Sequence, residues 1–219
     1  MITATRIQRE TLEKYPDYKS FIGYYKPANL VLIFSDIETI PESISEERLS
    51  LKDINVIYSN SKLVAAGIDY LTKWLSYFQD FLNINNRLTM TQDVAALLYK
   101  FCGHFYLSDL ALIFQKMLRS EYGTFYGSVD SQRINTSFSQ YNVQRYQAYR
   151  ELIAVVDKKI ELKLKTLKET LEDKIWTEVE SENIPKEQKY IEFRKRVEQQ
   201  LPNIIESERQ ITLKQIAQK

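Results

Sequence analysis

The chain has 219 residues and is almost charge-balanced, with 30 Lys+Arg against 29 Asp+Glu, which excludes a histone-like coat for nucleic acid but leaves room for a local basic face. Five glycines and five prolines are too few for a β-rich chain with many tight turns, and they point to long helices joined by short connections. The one cysteine, Cys102, excludes an intramolecular disulfide, and its apolar neighbourhood reads as a buried reduced thiol.

Residues 1–54 read as a partly irregular segment. A short helix is expected over Thr5–Lys14, ended by Tyr15-Pro16-Asp17, after which Tyr18, Phe21, Tyr24 and Tyr25 recur at helical spacing. Leu30–Phe34 is the longest apolar run, far too short to span a bilayer. It fits a buried strand or a short core helix, and with no second strong strand to pair it, helix or extended packing is favoured. Residues 35–54 are acidic and serine-rich and read as an exposed connector. The opening residues lack the apolar core of a secretory signal, so a cytoplasmic protein is expected.

Residues 55–140 read as a compact helical domain. Ser61 is the expected cap of a helix whose wide stripe holds Leu63, Val64, Ala66, Gly67, Tyr70, Leu71, Trp74, Leu75, Phe78 and Leu82. Gly67 inside it predicts a close helix approach. Thr89 with Gln92 matches a capping box opening a helix through Val94, Leu97, Leu98 and Phe101, which Gly103 ends. Ser108-Asp109 starts the next helix, with Leu110, Ile113, Phe114, Met117 and Leu118 inward, and Asp130 caps another that carries Ile134 and Phe138.

From residue 141 the pattern narrows. Ile153, Val156, Ile160, Leu164, Leu167, Leu171 and Ile175 follow one another at steps of three and four among charges, as in a coiled-coil or helical-hairpin seam. Charge is segregated: residues 130–168 hold eight Lys/Arg and four Asp/Glu, whereas residues 169–182 hold one Lys and six Asp/Glu. Such helices laid antiparallel would match basic halves with acidic ones, which predicts a homo-oligomer through the long helix, or a complementary protein partner. A return helix from Pro185, with Tyr190, Phe193, Val197 and Leu201, is expected to fold back, with Pro202 interrupting it and a frayed end beyond.

Two surfaces stand out as candidate sites. The first is the loop Tyr122, Gly123, Phe125, Tyr126 and Gly127, where two of the five glycines sit four apart behind tyrosines. The second is a nucleic-acid or acidic-partner face of Arg119, Arg133, Arg145, Tyr146, Tyr149, Arg150, Lys158 and Lys159, since arginines interleaved with stacking rings are what single-strand binders use. Against these stand plainer readings: the loop aromatics plug onto the core, and the lysines form a solvated helix face. The loop lacks the phosphate-binding GxxxxGK[ST] pattern. The helix–Gly103–helix unit has the outline of a DNA-reading motif, but its second helix opens with acidic and apolar residues, which favours bundle packing. His104 has no trio of ligands beside it, and no pair of carboxylates sits where one pKa would be driven from the other. No catalytic residue, metal or cofactor is expected.

The stretches Trp74…Phe81-Leu82-Asn83-Ile84…Leu88-Thr89-Met90-Thr91-Gln92, Leu107-Ser108-Asp109-Leu110 and Glu121-Tyr122-Gly123-Thr124-Phe125-Tyr126-Gly127-Ser128-Val129-Asp130 resemble an uncharacterised family of bacterial prophage, phage and conjugative-element proteins. The resemblance covers roughly residues 60–150, and Glu121 stands where the family pattern has a glycine. It implies a mobile-element setting, in which small helical proteins act as replication accessories, virion components or host-interaction factors. The expectation is therefore an all-α protein: a compact domain, a long amphipathic arm over 141–219 with its return helix, and a non-enzymatic adaptor role through protein–protein contacts, with DNA replication as one setting. Nucleic-acid binding by the 119–168 surface and a structural virion or scaffold role are the alternatives.

Overall fold

The computed structural model describes residues 5–44, 48–59, 65–82, 91–125 and 130–217, with side chains described as far as residue 213. They form ten helices and no strand. Two compact units result, Met1–Ala148 and Tyr149–Lys219.

The first unit contains α1 (Arg6–Lys14), α2 (Tyr18–Tyr24), α3 (Pro27–Ile33), α4 (Ile40–Ile44), α5 (Leu51–Tyr58), α6 (Ala66–Phe81), α7 (Thr91–Cys102), α8 (Leu107–Leu118) and the start of α9 (Ser131–Ser181). The N-terminal residues are not an irregular segment beside a core domain. Phe21, Leu30, Leu51 and Ile54 are fully or almost fully buried, and Ile37, Ile40 and Ile44 of the expected connector also turn inward. Helices this short are held by their ends and by packing. Thr5 and Gln8 cap α1 reciprocally, Asp17 and Ser20 do so at α2, and Ser50 and Asp53 at α5. Leu30–Phe34 resolves into helix: α3 begins at Pro27, where a missing N–H costs nothing.

The α5 N-terminus shows why residues 48–54 belong to the core. The amides of Leu51 and Lys52, which no helical turn satisfies, donate to the carbonyls of Phe105 (3.0 Å) and Gly103 (2.7 Å), and Leu107 N–H returns a bond to Leu49 (3.0 Å). Gly67 of α6 lies against this same place. A Cβ there would sit 2.5 Å from the Leu51 carbonyl and 2.6 Å from Tyr99, so the expected close approach is real.

Helix α8 is the axis of this unit. Every residue from Leu107 to Phe114 is buried, so it has no solvated face, and only Leu118 of the residues expected inward is exposed. Trp74 and Phe78 stack on one another, Phe114 of α8 meets Trp74 edge-on at 6.1 Å, and Phe138 of α9 is edge-on to Trp74 at 5.6 Å. Ile134, Phe138 and Tyr141 are fully buried. Helix α9 therefore runs unbroken from Ser131, and the expected boundary near residue 140 moves to 148, because the first turns of the long helix complete this core. Ser61, Leu63, Val64 and the Thr89 cap lie outside the described residues.

The second unit is an antiparallel pair made by the rest of α9 and α10 (Lys186–Ala217). Leu171, Ile175 and Val179 pack with Val197, joined by Ile184, Phe193, Leu201 and Ile204. Pro202 does not interrupt α10, although an interior proline gives up one hydrogen bond and crowds the carbonyl four residues back, at about 3 kcal/mol. Leu201 and Ile204 on either side of it pack into the seam, which offsets that loss. No described helix is long and apolar enough to cross a membrane.

Candidate functional site

The Tyr-Gly loop begins where α8 stops. The Ser120 amide bonds the Met117 carbonyl (3.1 Å) and the Glu121 amide bonds the Lys116 carbonyl (3.0 Å), the paired closure of a Schellman end. The left-handed residue of that motif is usually glycine, yet here it is Ser120 at φ 60°. Lys116 and Glu121 then close the turn with a 2.6 Å ion pair. Beyond it, Tyr122 is buried and donates to Gln144 Oε1 (2.9 Å), and Phe125 packs edge-on against Phe78. Gly123 is exposed at φ 93°, with open space where a Cβ would be. The loop aromatics thus serve the core, and Tyr126 and Gly127 lie outside the described residues.

Two arginines of the expected basic face are bonded within the chain, Arg145 half-buried and Arg133 still exposed. Arg133 donates through its guanidinium to the Thr124 carbonyl and lies over the Phe125 ring, while its amide takes the cap from Asp130 (2.6 Å). Arg145 is the larger correction. Its Nε donates to Asp109 Oδ2 (2.9 Å), and its guanidinium sits between the Phe105 and Tyr106 rings. Sequence spacing shows a cation every few residues, but not that one faces a carboxylate on another helix.

Asp109 organises a buried polar centre. Its Oδ2 also accepts the Tyr106 amide (2.8 Å), capping α8, and its Oδ1 accepts Tyr141 Oη (2.7 Å) and Ser43 Oγ (2.8 Å). Ser108 Oγ donates to the Ser43 carbonyl (3.1 Å). One carboxylate therefore ties α4, α8 and α9 together. Burial, then the facing Asp109 charge, drives the Tyr141 hydroxyl well above the ordinary tyrosine range, so it remains a donor. His104 bonds Asn142 nearby; burial first, and then the Arg145 cation, hold its pKa below the ordinary value. Burial likewise pushes the Cys102 thiol far up. Every polar group here is spent on holding helices, and all of Asp109's oxygens are occupied.

The remaining basic residues are on the outside. Arg119, Arg150, Lys158 and Lys159 are exposed, as are Tyr146 and Tyr149. Of the seam residues, Val156, Ile160, Leu171 and Ile175 are buried, and Ile153, Leu164 and Leu167 are half-buried. At Leu171 and Ile175 the cover is α10 of the same chain, so this end of the seam is the helical hairpin that the return helix was expected to make. Part of the segregated charge is paired within the hairpin: Glu182 takes a two-point bond from Arg196 (2.7 and 3.0 Å), Lys163 pairs with Glu208, and Asp157 with Arg209 (2.6 Å).

The sequence reading missed what the hairpin leaves uncovered. On one side a groove of about 500 Å³ opens between the helices, floored by Leu162, Leu167, Leu171 and Ile204. At the end near the turn, Trp176 is edge-on to Phe193 at 5.4 Å, and Tyr190 leans on the same ring at 6.3 Å. Trp176 is 41% exposed and Tyr190 58%. A tryptophan just after the seam residue Ile175, and a tyrosine one turn before Phe193, were the available signal.

No protein-family model, curated protein or solved structure matches this chain.

Proposed function

We propose that the chain is a cytoplasmic, non-enzymatic accessory protein of a phage or other mobile element that works through protein–protein contacts made by its α9–α10 hairpin. One observation carries this reading. The hairpin completes its own core and still exposes Leu162, Trp176, Tyr190 and Ile191, the last at 68%. Large apolar and aromatic side chains left out by a unit that has already satisfied its seam are what interaction surfaces are made of. The resemblance supplies the mobile-element setting, with DNA replication among the processes it covers. The polar centre around Asp109 supports the same reading from the other side, since its groups brace helices and present nothing to a substrate.

Photocrosslinking tests it. A benzophenone amino acid placed at Tyr190 in cells carrying the parent element should capture a protein, while the same group at Leu32, 74% exposed in the first unit, should not. Equal capture at both positions, or none at either, would count against a contact role for the hairpin.

Nucleic-acid binding by Arg119, Arg150, Lys158 and Lys159 is the second reading. It loses Arg145 to a buried carboxylate but keeps these exposed cations, with Arg133 exposed and bonded to the Thr124 carbonyl. Its mark is affinity for labelled DNA that falls steeply with salt, because each phosphate contact releases counterions. A virion or scaffold role would appear instead as a large fixed stoichiometry, indifferent to DNA.

A further inference from the structure

We infer that the end of α10 beyond Ile204 is a strap that opens from α9 as one unit while the tip of the hairpin stays folded, and that its release uncovers Val156 and Ile160. This holds whatever the hairpin contacts. Toward the turn the hairpin has a full core: Leu171, Ile175 and Val179 pack with Val197, and Ile184, Phe193, Leu201 and Ile204 join them. Past Ile204 the apolar contribution of α10 runs out. Among the described side chains there, Ile205 and Leu213 are half-buried, Ile211 is 48% exposed, and Thr212 alone is buried. Helix α9 brings Val156 and Ile160 to this end, both buried on either side of Asp157.

Thr212 is a poor substitute for a seam residue. Its Oγ1 is buried without a hydrogen-bond partner, although a helical threonine ordinarily donates to the carbonyl four residues back. Arg209 Nε is buried without one as well, while the rest of the guanidinium pairs with Asp157 at 2.6 Å and Glu206 at 3.5 Å. Polar atoms covered without partners subtract from stability. The strap's ion pairs to α9 are Asp157–Arg209 and Lys163–Glu208, each with a partner in water, which weakens such pairs. Between strap and tip stands Pro202, which has no N–H for the Glu198 carbonyl. At the same level the groove floored by Leu167, Leu171 and Ile204 opens, and Leu164 and Leu167 of the seam are only half-buried. The missing backbone bond, the gap in the seam and the start of the polar stretch therefore coincide.

A released stretch from Ile205 to Ala217 is too short to keep its helix in water, so opening is read by amide hydrogen exchange. The test follows exchange of the full chain, residue by residue, with mass spectrometry. The strap amides should exchange at one common rate, about tenfold or more faster than those of α10 on the tip side, with a step near Pro202. Pro202→Ala supplies the missing N–H, and Thr212→Val removes the unpartnered hydroxyl. Each should slow the strap by about fivefold or more and leave the tip unchanged. Asp157→Asn combined with Lys163→Gln should speed the strap alone, by about threefold.

A second readout follows what is uncovered. In Ile160→Cys the new thiol should be alkylated at a rate that tracks strap exchange and falls when Thr212→Val is added, while Cys102, buried in the first unit, serves as the unreactive control. Exchange that rises smoothly toward Ala217 would be ordinary end fraying and would overturn the strap. So would a single rate shared by strap and tip, or Pro202→Ala and Thr212→Val slowing both alike. A thiol at position 160 that stays inert while the strap exchanges would overturn the uncovering of α9.

Discussion

Replacing Arg145 by methionine separates a structural cation from a ligand-binding one. The side chain is 12% exposed and its Asp109 partner is fully buried, so the substitution strands a carboxylate out of water. Breaking a buried pair from one side costs about 3–5 kcal/mol. Here Tyr141, Ser43 and the Tyr106 amide still donate to the carboxylate, which favours the lower end, and the lost stacking over Phe105 and Tyr106 adds a fraction back. A loss of about 3 kcal/mol follows, a shift of roughly 6–12 °C in Tm for a unit of this size. Urea and thermal unfolding followed by circular dichroism measure it. In the cycle with Asp109→Asn, the double variant should lie well above the sum of the two losses, since the second change removes the stranded charge. An Arg145→Met protein within about 0.5 kcal/mol of the parent would refute the buried pair. Loss of DNA binding at unchanged stability would return Arg145 to the surface reading.

Three further outcomes are expected. Gly67→Ala gains about 1 kcal/mol of helix propensity but drives a methyl into the Leu51 carbonyl and Tyr99, and overpacking of about 1–3 kcal/mol should win; a more stable variant in urea would show that α5, α6 and α7 are not so close. Ser120→Gly relieves a left-handed serine and should stabilise by about 0.5–1 kcal/mol, whereas destabilisation would dismiss the Schellman end. His104 is held below its ordinary pKa by burial and Arg145, with Asn142 and Asp109 opposing, so between about pH 6.5 and its lower folded value the unfolded chain binds a proton that the folded one does not. Stability should fall as pH drops through that window, and His104→Gln should flatten the slope; identical profiles for the two proteins would argue against a buried neutral imidazole.

The helical class was legible because three periods dominate the chain: the stripe of α6, the turn of α7 and α8 about Gly103, and the seam of α9. Periodicity tells which side of a helix is buried but not what covers it. The seam from Ile153 to Ile175 therefore fitted a coiled coil or a helical hairpin equally, and α10 covers its C-terminal end as the return helix was expected to do. A short face is also easily overlooked. Residues 35–54 look acidic and wet, yet Ile37, Ile40, Ile44 and Leu51 recur at steps of three, four and seven and are buried, and the backbone bonds of Leu49, Leu51 and Lys52 reach to residues 103–107. Arg145 was misjudged for the same reason: the charge that decides its place is 36 residues away on another helix. The Tyr-Gly loop, weighed between contact site and core plug, places Tyr122 and Phe125 on the core because each ring finds a partner there, Gln144 and Phe78.

The closure around Asp109 also sets an order on synthesis. Helix α8 has no face suited to water, and the carboxylate near its start waits for a tyrosine and an arginine translated more than thirty residues later. While only residues up to 118 have left the ribosome, the unit has its sequence for a core and no means of completing it. The earliest chain that satisfies this centre must include Arg145, so a fragment ending at Ala148 holds every member, and one cut at Gln140 would lack both Tyr141 and Arg145. The first stretch of the long helix is in this sense the last piece of the globular fold to be delivered.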